Sequence, residues 1–147
     1  MMITAILLVA VLIAACTAVH YVALRFAAQF VTPARHPSHC VAIAVTMIAI
    51  AHSIEALLYA GGFWFAVHSL QIGDLASSPP DEEKVLNFMD YYYFSMVNFA
   101  TLGRGDLIPS GHLRFMTAME AFQGFLLITT SGAFLLQIMG GKDPFKR

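Results

Sequence analysis

The chain has 147 residues and a formal net charge of -1; 59% of it is hydrophobic, 12% is charged, and its mean hydropathy is +0.71. That is more apolar surface than one soluble core of this length hides, so long apolar runs here make a lipid bilayer the expected solvent. No basic patch points to a nucleic-acid partner, and Cys16 and Cys40, inside or at the edge of apolar runs and in no metal-ligand spacing, give no disulfide framework.

Met2 to about Phe26 is apolar except for His20 and Arg25, longer than the roughly 20 residues that cross hydrocarbon. It predicts a first transmembrane helix, with residues 1–30 as an extra, peripheral N-terminal span. A signal peptide wants positive charge before its apolar core, and none precedes Ile3. Ile13 to Cys16 has a loose likeness to a lipoprotein cleavage box without that basic start. The next loop, Val31 to His39, carries Pro33 and Pro37, which end the first helix and oppose an early restart. Cys40 to about Val67 is a second span whose ionisable groups are His52 and Glu55. Gln71 to Asn87 contains Ser77-Ser78-Pro79-Pro80 and the acidic run Asp81, Glu82, Glu83, which predicts an exposed loop.

From Phe88 to Ala100 a short aromatic helix is predicted, too short to cross alone. Thr-Leu-Gly-Arg-Gly-Asp follows and closes on Pro109. Ser110 is placed to cap the next helix, with Gly111 and His112 in its first turn. That helix runs to about Met139, Gly140-Gly141 ends it, and Lys142 to Arg147 forms a short basic tail, so no nucleotide-binding or other ligand-sensing domain is expected within the residues after Met139. Arg25, Arg35, Lys142, Lys146 and Arg147 sit at the first loop and the tail, while the loop before the short helix is mainly acidic. The positive-inside rule then puts the N-terminus outside and the tail in the cytoplasm of a multi-pass protein of the cell membrane.

A short helix and a Gly-containing return between two spans is the order of parts in a re-entrant loop. Irregular backbone at membrane depth is tolerated only where protein buries it or water lines it. Gly103 and Gly105 allow conformations that turn successive carbonyls toward one axis, where they replace an ion's hydration shell. Residues Thr101, Leu102, Gly103, Arg104, Gly105 and Asp106 resemble the potassium-channel signature Thr-Val-Gly-Tyr-Gly-Asp, and the likeness extends over the helices on either side. It implies an all-α membrane protein with three transmembrane helices plus a re-entrant pore helix and filter loop. The pore module would span 40–140: outer helix 40–68, pore helix and filter 88–109, inner helix 110–140, then a cytoplasmic tail over 141–147.

One loop supplies a quarter of the oxygens around an ion, so a homotetramer in the bilayer is implied. The resemblance further implies a channel rather than an enzyme. Its permeant species would be monovalent cations, potassium first, held at the carbonyls of Thr101, Leu102, Gly103, Arg104 and Gly105, with no other cofactor. Asp106, Tyr93 and Asn98 would support the filter, the aromatics Tyr91, Tyr92, Tyr93, Phe94 and Phe99 bracing it. Arg104 departs from the signature. Four guanidinium groups about 8 Å apart at an effective dielectric of 20 repel by about 2 kcal/mol per pair. Asp106 or the acidic loop is the expected compensation. A non-conducting or weakly selective regulatory subunit is the alternative.

Gly124 stands where the family has a gating hinge, or else permits close helix contact. Gly124, Ile128, Ser131 and Leu135 share a helical face that the resemblance places on the cavity, with Leu135 and Met139 as an apolar constriction. His52 and Glu55, three residues apart, share a face at membrane depth. With Glu120 they form a candidate polar or pH-sensing network. A separate reading takes His20, His52 and His68 as haem or transition-metal ligands.

Overall fold

Three apolar runs become three long helices: α1 (Met2–Ala28), α2 (Pro37–His68) and α4 (Leu113–Met139). The computed structural model describes residues 1–30, 37–78, 85–103, 105–141 and 145. All three helices are long and apolar enough to cross a membrane. A twelve-residue helix, α3 (Phe88–Phe99), stands between α2 and α4.

α2 begins three residues before the predicted Cys40, because Pro37 takes the first helical position, where a missing N–H has no intrahelical partner to lose. Its proline starts the helix instead of delaying it. α3 starts on a capping box: the Asn87 side chain accepts the Met89 N–H at 2.8 Å, and Asp90 accepts the Asn87 N–H at 2.8 Å.

α1, the expected extra span, packs along one side against the other helices of the subunit. Ala5, Val9, Leu12, Cys16, His20, Leu24 and Ala27 recur every three or four residues and are buried as one stripe. Alanines 44, 51, 56, 60 and 66 of α2 are likewise buried, and small side chains let membrane helices approach closely. Gln123 of α4 ties the three spans together. Its amide donates to the Ile13 carbonyl (3.0 Å) and to Thr17 Oγ1 (3.3 Å), and its oxygen accepts the Tyr59 hydroxyl at 2.6 Å. Gln123→Ala leaves the buried Tyr59 hydroxyl without that acceptor, so a loss of about 2 kcal/mol is expected. Thermal unfolding in detergent checks it against the exposed Gln137→Ala; equal stability of the two variants would remove Gln123 as the tie.

The loop after α2 holds more structure than an exposed segment. Its β1 (Leu75–Ser77) pairs antiparallel with β2 (Leu107–Pro109), Leu75 opposite Pro109 and Ser77 opposite Leu107. Leu75 and Leu107 are buried and anchor the ribbon. Ser110 serves this junction and does not cap α4. Its hydroxyl accepts the Asp74 N–H at 3.1 Å and its N–H donates to the Asp74 carbonyl at 2.8 Å, while His112 is the N-cap residue without a side-chain cap bond.

At the opposite end Phe145 meets Tyr21 edge-on at 6.4 Å and Phe134 at 6.2 Å, and the Arg25 guanidinium lies 5.4 Å from the Phe145 ring centre. The end of α1 and the segment after α4 therefore share one end of the bundle, where Leu24, Ala27, Cys40, Ala44, Ile48, Phe134 and Ile138 form their own core. The ribbon and the return after α3 occupy the other.

Candidate pore loop and buried polar cluster

α3 is wedged against both neighbours. Tyr91 meets Trp64 edge-on at 5.1 Å, Phe94 meets Phe63 at 5.2 Å, and the Ser95 hydroxyl reaches the Ala56 carbonyl at 2.6 Å and the carboxyl of Glu120. A Cβ placed on Gly124 would lie 2.1 Å from the Phe99 carbonyl oxygen, so the bare backbone of α4 supports the end of the short helix.

Beyond Phe99 the backbone turns sharply. The Thr101 N–H donates to the Asn98 carbonyl (2.8 Å) and the Leu102 N–H to the Val97 carbonyl (3.0 Å). Thr101 has φ 57° and Gly103 φ 60°. A left-handed glycine is ordinary, but a β-branched residue there is strained. The strain sits where the sequence places the first filter residue. Thr101, Leu102, Gly103, Gly105 and Asp106 are exposed on the subunit, Leu102 by 70%, and chain direction is restored only at buried Leu107. The Asp106 carbonyl accepts the Ser78 N–H at 2.6 Å, fastening the return to the end of β1. Arg104, with its expected pairing to Asp106, lies outside the described residues. Asn98 donates to the Phe94 carbonyl of its own helix at 2.7 Å, and Tyr93 is about half exposed on the outer face of α3.

Polar side chains meet in the middle of the bundle. His52 and Glu55 come together as their spacing predicts, Nδ1 to Oε2 at 2.8 Å. The partner that spacing did not reveal is His20 of α1, whose Nδ1 is 3.0 Å from Glu55 Oε1. The two imidazoles stack at 5.3 Å with planes 25° apart, and Ser131 Oγ faces both Nε2 atoms, at 3.2 Å from His52 and 3.5 Å from His20. Glu55 is fully buried and His20 nearly so. The ring of His52 also lies 5.5 Å from that of Phe99, so the cluster adjoins the end of α3.

Glu120 bonds elsewhere: it is fully buried against Ser95, and its Oε2 has no hydrogen-bond partner among the described residues. His68 is not with the other two histidines; it stacks on Trp64 at 3.9 Å and its Nδ1 faces the Trp64 carbonyl at 3.0 Å. The face drawn through Gly124, Ile128, Ser131 and Leu135 divides. Gly124 and Ser131 turn into the subunit, Ile128 is exposed, Leu135 is half-buried beside the core at the α1 and α4 ends, and Met139 is exposed. Two available signals pointed to the cluster: His20 is the first ionisable side chain in an otherwise apolar run, and an intramembrane Glu requires a partner.

Residues 38–140, which hold α2, α3 and α4, match a family described as ion channel. The chain belongs to that ion channel family. It is also similar to "Uncharacterized membrane protein YdjJ" of Bacillus subtilis (strain 168), 34% identical over 77 residues that make up 52% of this chain and 22% of that protein. The chain therefore spans less than a quarter of that relative's length. No solved structure matches. With three membrane-length apolar helices, this ion channel family member is a multi-pass membrane protein. The family match begins after α1, so His20 reaches the cluster from outside the channel module.

Proposed function

We propose that four copies assemble around an axis and pass monovalent cations, potassium first, through a filter built from the carbonyls of Thr101 to Gly105. One observation carries this reading: a capped short helix, held between two spans of an ion channel family member, delivers an exposed, glycine-containing return at the end of the bundle away from Arg25. Exposed carbonyls from one loop coordinate nothing alone, whereas four such loops replace a hydration shell. The exposed apolar side chains of α3 and α4, Tyr93, Met96, Phe122 and Phe125, offer surface for neighbouring subunits or lipid. Ile128 and Met139 are the exposed members of the predicted cavity set, with Gly124 and Ser131 acting within the subunit. The acidic loop faces outside and the basic tail the cytoplasm, by the charge rule. The role is transport, not catalysis.

The fixed charge of Arg104 favours a second reading, a channel-shaped subunit that does not conduct by itself. Flux from proteoliposomes loaded with potassium, sodium or chloride, with and without Arg104→Tyr, separates the two. Potassium-selective flux in the unaltered protein is the expected result. Flux appearing only in Arg104→Tyr would establish the non-conducting reading, and chloride preference would overturn the cation assignment.

A further inference from the structure

We propose that His20, His52 and Glu55 form a site for a divalent transition-metal ion of the zinc or cobalt type, which clamps α1 onto the channel module. One ligand atom from each of His20, His52 and Glu55, an imidazole nitrogen or a carboxylate oxygen, lies within 4.8 Å of the other two. Ligand atoms on an ion with bonds of about 2.0–2.1 Å stand about 3.3 Å apart; here His52 Nδ1 is 2.8 Å from Glu55 Oε2 and His20 Nδ1 3.0 Å from Glu55 Oε1, one imidazole on each carboxylate oxygen. An ion among the three groups would take the place of these two hydrogen bonds. Two imidazole nitrogens and one carboxylate suit zinc, cobalt or iron, whereas calcium and magnesium prefer all-oxygen sets.

Ser131 supplies the second argument. When both Nδ1 atoms donate to Glu55 and both rings are neutral, two Nε2 lone pairs face a single serine proton, and one is left without a donor unless a ring carries a second proton. With a metal ion on both Nδ1 atoms the tautomers reverse. Each Nε2 then carries a hydrogen, and Ser131 Oγ accepts both on its two lone pairs. Metal-ligating histidines nearly always have such an acceptor behind them, and here one hydroxyl is 3.2 and 3.5 Å from the two nitrogens. Burial points the same way, since a fully buried carboxylate between apolar helices calls for a compensating cation. Cys16 is outside the set; its thiol donates to the Glu55 backbone carbonyl at 3.7 Å. The ligands come from α1 and α2 and the supporting hydroxyl from α4, so one ion would join all three spans next to Phe99. None of this depends on the protein conducting.

The test uses the full chain, purified in detergent without a polyhistidine tag, stripped with chelator and titrated with cobalt(II). The expected result is a visible ligand-field spectrum saturating at one cobalt per chain, together with a rise in unfolding temperature. Glu55→Gln and His20→Gln, near in shape to the native residues, should abolish the spectrum while eluting as the native protein does. Ser131→Ala keeps all three ligands and should weaken binding at least tenfold. His68→Ala should bind as the native chain. A native protein without a saturable spectrum overturns the proposal and leaves a hydrogen-bonded cluster. So does a spectrum that survives Glu55→Gln and His20→Gln in folded protein, or one lost only with His68→Ala.

Discussion

Gly124→Ala is expected to destabilise the subunit by about 3 kcal/mol or more, the upper range for overpacking a close contact. The added Cβ would meet Phe99 backbone, with its oxygen at 2.1 Å, its carbonyl carbon at 2.9 Å and its Cα at 3.1 Å. A flexible side chain would swing aside, but the end of α3 is held by Tyr91, Phe94 and Ser95 against α2. α4 would have to withdraw, loosening the Ser95 to Glu120 contact four residues earlier. Gly132→Ala is the matched control, because a Cβ there meets nothing within 4 Å. Thermal unfolding and gel filtration in detergent should show Gly124→Ala unfolding early or running as a broken assembly, with Gly132→Ala unchanged or slightly stabilised by its better helix propensity. Equal behaviour of the two would mean that α4 does not bear on the short helix in the assembled protein. Close approach is one of the two roles the sequence offers Gly124, and the contact with the Phe99 backbone is of that kind.

Gly103→Val is expected to lower flux at least a hundredfold while the protein still folds and assembles. A Cβ at Gly103 meets no atom within 4 Å in the described subunit, so space is not the constraint. The constraint is φ +60°, which a β-branched residue rarely adopts. Valine would drive the backbone out of this conformation and reorient the neighbouring carbonyls, which the proposed filter needs turned toward its axis. The bundle is fastened independently through Leu75, Leu107 and the Ser95 contacts. Proteoliposome flux measured beside gel filtration separates a filter defect from a folding defect. Native flux in Gly103→Val would remove Thr101 to Gly105 as the conduction path.

Much of the architecture was legible because it rests on local terms. Hydrocarbon thickness sets how long an apolar run must be, which fixed three spans within a few residues. The brevity of Phe88–Phe99 marked a helix that cannot cross. The errors at boundaries have local causes as well. Pro37 reads as a barrier but is a favourable first helical residue, and Ser110 reads as a cap but spends its hydroxyl on Asp74. The β1–β2 ribbon escaped notice because two three-residue strands carry no period long enough to see, and their pairing joins segments about thirty residues apart in sequence.

The site divides along the same line. That the return after α3 holds Thr101, Gly103 and Gly105 in sequence order is a property of the chain, and so is the placement of His52 and Glu55 one turn apart on α2. Which residue of another helix completes the polar cluster is a matter of rotational phase. A membrane helix is apolar nearly all round, so its pattern of hydrophobicity does not mark the side that faces its neighbours. Only the packed bundle turns His20 of α1 and Ser131 of α4 toward Glu55, sends His68 to Trp64, and brings Gly124 against Phe99. The sequence by itself determined how many helices cross and where the short one breaks off, because hydrophobic length and glycine and proline chemistry act locally. The tertiary structure decided which buried polar groups meet, because that choice depends on contacts between helices far apart in the chain.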